Sequence, residues 1–260
     1  MSSQIASSLD KALALLFAFA GSDRDQQVYT VSALAEAHGM DKAQVSRALA
    51  TFAKYGLVER LEQRRGYQLG WSIVHLASRA LHAQTMSSIY PALSQLAAEW
   101  DETVHFSIRD GAHSVVLAAF QPDRRLFVNV QTGRRDALIG SAVGYALLSR
   151  STSEELHSVF HSGARRARDS TETWAGVRAD AQRAASAGHS VLTNERNDLV
   201  TTIAVPVIDV GNYRDRVYAA IGVSAPDDRV RTRHAEMVER LVEVADAANG
   251  FLRSKEAGVG

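Results

Sequence analysis

Residues 30–69 carry, in immediate succession, a short amphipathic segment, a glycine turn, a second amphipathic segment and a basic hairpin. Thr30 offers a helix cap for residues 31–37, with Leu34 and Ala35 turned inward. His38-Gly39-Met40 supplies the stop, because glycine closes a helix in the left-handed conformation without a Cβ penalty. Asp41 opens the next helix with Gln44 three residues on, a capping-box-like pairing, and that helix ends at Tyr55-Gly56. On it Val45, Leu49 and Phe52 share one face, while Ala43, Arg47, Ala50 and Lys54 lie opposite. Gln44 and Ser46 flank the outer face, and Lys42 occupies the first turn. Two β-like runs, 57–60 and 67–69, enclose a polar tip bearing Arg64 and Arg65.

An outer face that is small, polar and basic suits a DNA major groove about 12 Å wide. Arginine bonds guanine bidentately, glutamine bonds adenine and lysine pairs with phosphate; Arg64 and Arg65 are placed for phosphate or the minor groove. Charge supports this. The 29 basic and 29 acidic residues of the chain cancel. Within residues 41–80, however, Lys42, Arg47, Lys54, Arg60, Arg64, Arg65 and Arg79 face only Asp41, Glu59 and Glu62, a local net of +4. Overall neutrality therefore conceals a basic module.

Around this module the chain divides in two. Residues 9–20 read as a helix on Leu9, Leu13, Leu16, Phe17 and Ala20, and residues 71–82 as a linker helix without glycine or proline. The expected domains are a winged helix-turn-helix over 1–70, a linker helix over 71–85 and a ligand domain over 86–260. In the last, a helix is expected at 89–100 and strands at 103–108, 113–120, 126–131, 189–193, 200–208 and 216–224. Helices are expected at 153–161, 171–187 and 230–253, with a loop entering a helix at 140–149. This order indicates an α+β domain with an antiparallel sheet flanked by helices.

Several function classes are excluded or weakened. Without cysteine, the chain has no disulfide framework, zinc ribbon or thiol nucleophile. His157 and His161 have metal-ligand spacing, but Ser158 stands where a metalloprotease helix needs glutamate. Neither a phosphate loop, a dinucleotide fingerprint nor a serine elbow occurs, so neither catalysis nor a cofactor is expected. The longest apolar run, 13–21, is too short to span a bilayer, and no export signal precedes it, so a cytoplasmic location without a membrane partner is expected.

The residues resemble those of the IclR family of bacterial transcription regulators. The resemblance lies in Ser8-Leu9-Asp10-Lys11-Ala12-Leu13, Val31-Ser32-Ala33-Leu34-Ala35, Asp41-Lys42-Ala43-Gln44-Val45-Ser46-Arg47-Ala48-Leu49, Tyr55-Gly56-Leu57-Val58 and Gly66-Tyr67-Gln68-Leu69-Gly70. Further on it lies in Pro91-Ala92-Leu93, Glu102-Thr103-Val104, Ile203-Ala204-Val205-Pro206-Val207 and Val223-Ser224-Ala225-Pro226. It covers residues 8–253, and the order of the pieces carries it.

The resemblance implies a GAF-like α/β effector-binding domain behind the winged helix-turn-helix. It also implies a homodimer or dimer of dimers on a double-stranded DNA operator, controlled by a small organic, carboxylic effector. The apolar helices at 9–20 and 71–82 offer surface for the partner subunit. Carried over by position, the effector residues would be Ala142, Val143, Leu192, Thr202, Gly222 and Ser224. Two departures stand out: Tyr145 replaces a basic residue and Leu192 a polar one, with Asn194 and Glu195 near enough to compensate. These changes point to a less polar effector than a short keto acid, one with a ring or acyl part. The alternative is a GAF-like sensor or scaffold whose N-terminal module binds protein rather than DNA.

Overall fold

A computed structural model describes residues 8–20, 28–61, 63, 65–80, 83–162, 172–193, 199–209 and 216–254. Arg64, Asn194, Glu195 and residues 81–82 of the expected linker helix lie outside that set. The chain forms two compact units, Met1–Ala83 and Gln84–Gly260.

In the first unit, α1 (Ser8–Ala18), α2 (Val31–His38) and α3 (Lys42–Lys54) pack round Leu15, Phe19, Leu34, Val45, Leu49 and Phe52. Local chemistry sets the boundaries. The Thr30 hydroxyl accepts the Ala33 N–H at 3.1 Å, and Gly39 closes α2 at φ 59°. One carboxylate oxygen of Asp41 takes the N–H groups of Ala43 and Gln44, at 2.8 and 3.4 Å, so the backbone half of the expected pairing caps α3. β1 (Val58–Leu61) and β2 (Gly66–Leu69) form the hairpin, and α4 (Trp71–Ala80) follows. Tyr29 adds an edge that the sequence reading lacked, exchanging N–H···O bonds of 2.9 and 2.8 Å with Tyr67.

The apolar stripe expected on α1 splits between two faces. Leu15 and Phe19 are buried, whereas Leu9 and Phe17 are 64% and 72% exposed and Leu13 is also exposed. The helix is apolar on more than one side, so its sequence periodicity alone could not choose the inner face. On α4, Trp71, Val74 and Leu76 are likewise exposed.

The second unit begins with α5 (Ala83–Trp100), six residues earlier than its sequence pattern indicated. Its sheet has six antiparallel strands in the order β5-β4-β3-β8-β7-β6. These are β3 (Thr103–Asp110), β4 (His113–Phe120), β5 (Arg135–Ala137), β6 (Ser190–Thr193), β7 (Val200–Asp209) and β8 (Arg216–Pro226). Two meanders, β3-β4-β5 and β6-β7-β8, thus meet where β3 pairs with β8. Between them the chain forms α6 (Ala142–Leu148), α7 (Ser153–His161) and α8 (Trp174–Ala187), and it closes with α9 (Asp227–Ser254).

Helices cover both faces of the sheet. α6 packs against β3, β7 and β8, and α9 against β7 and β8. α5 runs beside α9, where Arg240 pairs with Glu99. Behind the start of β3, the buried Glu102 carboxylate pairs with Arg229 of α9 at 2.5 Å and lies 3.7 Å from Arg124. Burial pushes this carboxyl up from its ordinary range, against the pull of the two guanidiniums. Residues 126–131 are not the strand expected. Their β4-side place belongs to β5, and they are held by single bonds such as Thr103 hydroxyl to Val128 carbonyl at 2.7 Å. Among the described residues no helix is long and apolar enough to cross a membrane.

Two contributions to the first unit can be separated by chemical denaturation. Asp41→Ala should lower its stability by about 1 kcal/mol through loss of the α3 cap, and Leu49→Ala by about 2–5 kcal/mol through a core cavity.

Candidate nucleic-acid interface and ligand cavity

α3 presents the face read from the sequence. Lys42, Ser46, Arg47 and Lys54 are exposed and Gln44 is half-buried, while Val45, Leu49 and Phe52 face the core. The Arg47 carbonyl accepts the Thr51 hydroxyl, and the Arg47 residue is exposed. Lys54 lies 5.8 Å from the Tyr55 ring centroid at the end of the helix. Ser46 shares a surface notch with Val31, Arg60, Arg65 and Tyr67. The notch joins α3 to the hairpin, so Arg60 belongs with the candidate residues even though the sequence reading counted only its charge. Arg65 has φ 46°, an uncommon left-handed conformation for a bulky side chain.

The second unit contains a cavity of about 80 Å³ between the sheet and the start of α6. Its floor follows from the register. Alternation puts Thr103, His105 and Ser107 of β3 on one face and Val104 and Phe106 on the other. His105 lies beside Gly222 of β8, and Ser224 of β8 lies beside Thr202 of β7. Ala142, Val143, Thr202 and Ser224 accordingly line the cavity, joined by His105, Ser107, Ser114, Ser141, Arg134 and Asp136.

Three expected effector residues stand elsewhere. Tyr145 is buried among the α6–α8 side chains, and its hydroxyl donates to Glu172 at 2.9 Å. Burial and the neighbouring carboxylate both push this phenol up. Position 145 therefore says nothing about effector polarity, because three residues into α6 the side chain points away from the cavity. Leu192 pairs with Thr202 one strand outward, and packs on the same helical cluster. Gly222 acts through its lack of a side chain: a Cβ there would come within 2.5 Å of His105 Cε1.

The cavity lining is mixed: Val116, Val128, Val130 and Val200 face it together with the polar side chains of β3, β7 and β8. His105 is 3% exposed, with Nε2 3.2 Å from Ser224 Oγ, which is 2.9 Å from Thr202 Oγ1. His105 Nδ1 and Ser107 Oγ are buried without a hydrogen-bond partner among the described residues. Each such orphan costs about 1–3 kcal/mol. At the rim Arg134 and Asp136 make a two-point pair of 2.7 and 2.9 Å. At the start of α6, Ser141 Oγ accepts the Gly144 N–H and donates to the Leu138 carbonyl, both at 3.0 Å. The missed residues had one signal in the sequence: polar groups at alternate positions, Thr103-Val104-His105-Phe106-Ser107, in a strand otherwise apolar.

His157 and His161 meet at a tilt of 50° with ring centroids 4.1 Å apart, and His157 meets Trp174 edge-on at 5.4 Å. Among the described residues no cluster of three or more metal-ligating side chains occurs.

Comparison with known proteins returns matches to both units. A profile described as the IclR helix-turn-helix domain matches residues 8–62, and one described as bacterial transcriptional regulator IclR C-terminal matches residues 79–249. The HTH-type transcriptional regulator Rv1719 of Mycobacterium tuberculosis is 34% identical over 116 residues, which span 45% of this chain and 44% of that one. The HTH-type transcriptional regulator BhcR of Paracoccus denitrificans is 26% identical over 255 residues, 96% of this chain and 89% of the relative. The fold is also that of an IclR homologue from Microbacterium hydrocarbonoxydans crystallised with 4-hydroxybenzoate. That structure has a TM-score of 0.77 and 19% identity, covering 95% of this chain and all of the other.

Burial holds the His105 imidazole down at about 4, well below its ordinary 6.5. The unfolded chain thus binds the extra proton first, and stability is full above pH 6.5 and lost as pH falls towards 4. At about 1.4 kcal/mol per unit the loss is roughly 3 kcal/mol. Denaturant titrations across this range should show that loss in the wild type and a flatter profile in His105→Gln.

Proposed function

The chain belongs to the IclR family of bacterial transcriptional regulators, and from that premise we propose that it binds a two-fold operator as a homodimer or dimer of dimers under control of a small organic effector. What carries this reading is the presence in one chain of an exposed basic helix face and a cavity with unsatisfied buried polar atoms. α3 enters the major groove, with Arg47 and Gln44 reading base edges and Ser46 at the groove wall. Lys42, Lys54, Arg60, Arg64 and Arg65 hold phosphate or the minor groove and set the register. The exposed stripes Leu9-Leu13-Phe17 on α1 and Trp71-Val74 on α4 form the subunit interface.

The effector occupies the cavity bounded by Ala142, Val143, Thr202 and Ser224, and Gly222 makes room for His105 there. The 4-hydroxybenzoate complex of the Microbacterium homologue supports a small organic ligand for this fold. Effector binding changes operator affinity through its differential affinity for two arrangements of the paired DNA-binding modules, with α4 as the connecting element. The regulator works in the cytoplasm, without cofactor or catalysis.

Promoter-DNA binding measured across a salt series should fall with a log–log slope near −0.9 per phosphate neutralised. Arg47→Ala should relax or abolish operator recognition. Arg64→Ala combined with Arg65→Ala should weaken all sequences alike. A salt-independent interaction, or no effect of either variant, would assign the N-terminal module to a protein partner instead.

Sedimentation analysis tests the interface separately. Leu13→Asp with Phe17→Asp should shift the full-length protein toward monomer and cut operator affinity, with the secondary structure of the C-terminal unit retained. A sedimentation profile like the wild type's would remove α1 from the interface.

A further inference from the structure

His105 and Ser107 leave the same face of β3 and line the cavity, and each carries a buried polar atom without a hydrogen-bond partner among the described residues. The imidazole is held in place. The ring occupies the space that a Cβ on Gly222 would fill, and the chain Thr202–Ser224–His105 occupies Nε2. Nδ1 is the nitrogen left for a ligand.

The charge of the lining narrows the ligand class. Among the described lining residues, Arg134 and Asp136 are the ionised groups, and they neutralise each other. They are also the charged groups that His105 feels, Asp136 favouring its protonated form and Arg134 opposing it, while burial dominates and keeps the ring neutral. A carboxylate arriving at His105 and Ser107 would meet no cationic side chain of the described lining other than Arg134, which Asp136 already pairs. Burying such a charge is strongly unfavourable unless a proton comes with it. A hydroxyl has the opposite character: it donates to one neighbour, accepts from another and carries no charge.

Resting on the reading of this cavity as the effector site, we propose that the effector docks an uncharged hydroxyl, of an alcohol or a phenol, on His105 Nδ1 and Ser107 Oγ. The site selects against a carboxylate at that position.

The test uses the full-length protein with 15N-labelled histidine and matched probes: propane-1,2-diol and phenol against lactate and benzoate. Calorimetry at pH 6 and pH 8, in buffers of different ionisation enthalpy, reports affinity and proton uptake. The hydroxyl compounds should move the His105 ring resonances without protonating the ring. They should bind equally at both pH values, and lose about tenfold in affinity in Ser107→Ala, the effect of one hydrogen bond. Ser107→Ala removes a single oxygen and keeps the test valid even if His105→Gln does not fold. Tighter binding of the acids, with proton uptake and conversion of His105 to imidazolium, would overturn the proposal while leaving the cavity as the effector site. If no probe of either class perturbs His105, the effector-site reading falls and the proposal with it.

Discussion

The ladder between β3 and β8 holds the C-terminal unit together. It joins two meanders that three helices separate along the chain, bringing His105 to Ser224 across 119 residues. Every strand of the sheet is within two places of this seam. The seam also sets the chemistry of the cavity. Its register puts a residue without a side chain, Gly222, beside a large buried ring, and one residue of slip would turn that face over.

Polar groups are costly in such a seam, and the sheet keeps several there. Thr103 is satisfied by Val128, and Ser224 by both Thr202 and His105. His105 Nδ1 and Ser107 Oγ remain unpaired beneath α6. An apolar pair at these positions would pack the same strand at no polar cost, so the fold gives up stability at these two positions. The first unit shows the complementary economy: its basic side chains stand on an exposed helix face, where charge costs nothing to keep.

Much of the architecture was legible in the residue pattern, because the relevant forces are local. Helix 153–161 and strand 113–120 begin and end where caps and alternation put them, with Thr152 and Glu155 forming a reciprocal cap. Legibility failed where one pattern serves two purposes. The alternation Leu126-Val128-Val130 reads as a strand, yet it belongs to a loop whose valines line the cavity. The apolar residues of α1 divide between a core and an outer stripe. Tyr145, singled out as a sign of the effector's character, instead ties α6 to Glu172, because helical spacing and not sequence proximity decides which side chain faces the cavity.

The sequence by itself determined the DNA-binding module: the caps at Thr30 and Asp41, the glycine turn at Gly39, the apolar face of α3 and the basic face opposite it. All of these act within one or two helical turns, so their spacing along the chain is also their spacing in space. Only the tertiary structure decided the cavity. His105, Ser107, Arg134, Thr202 and Ser224 come from β3, the segment before β5, β7 and β8, and their meeting depends on which strands pair and in which register. That pairing is settled by burial over the whole sheet, a quantity no short stretch of sequence contains.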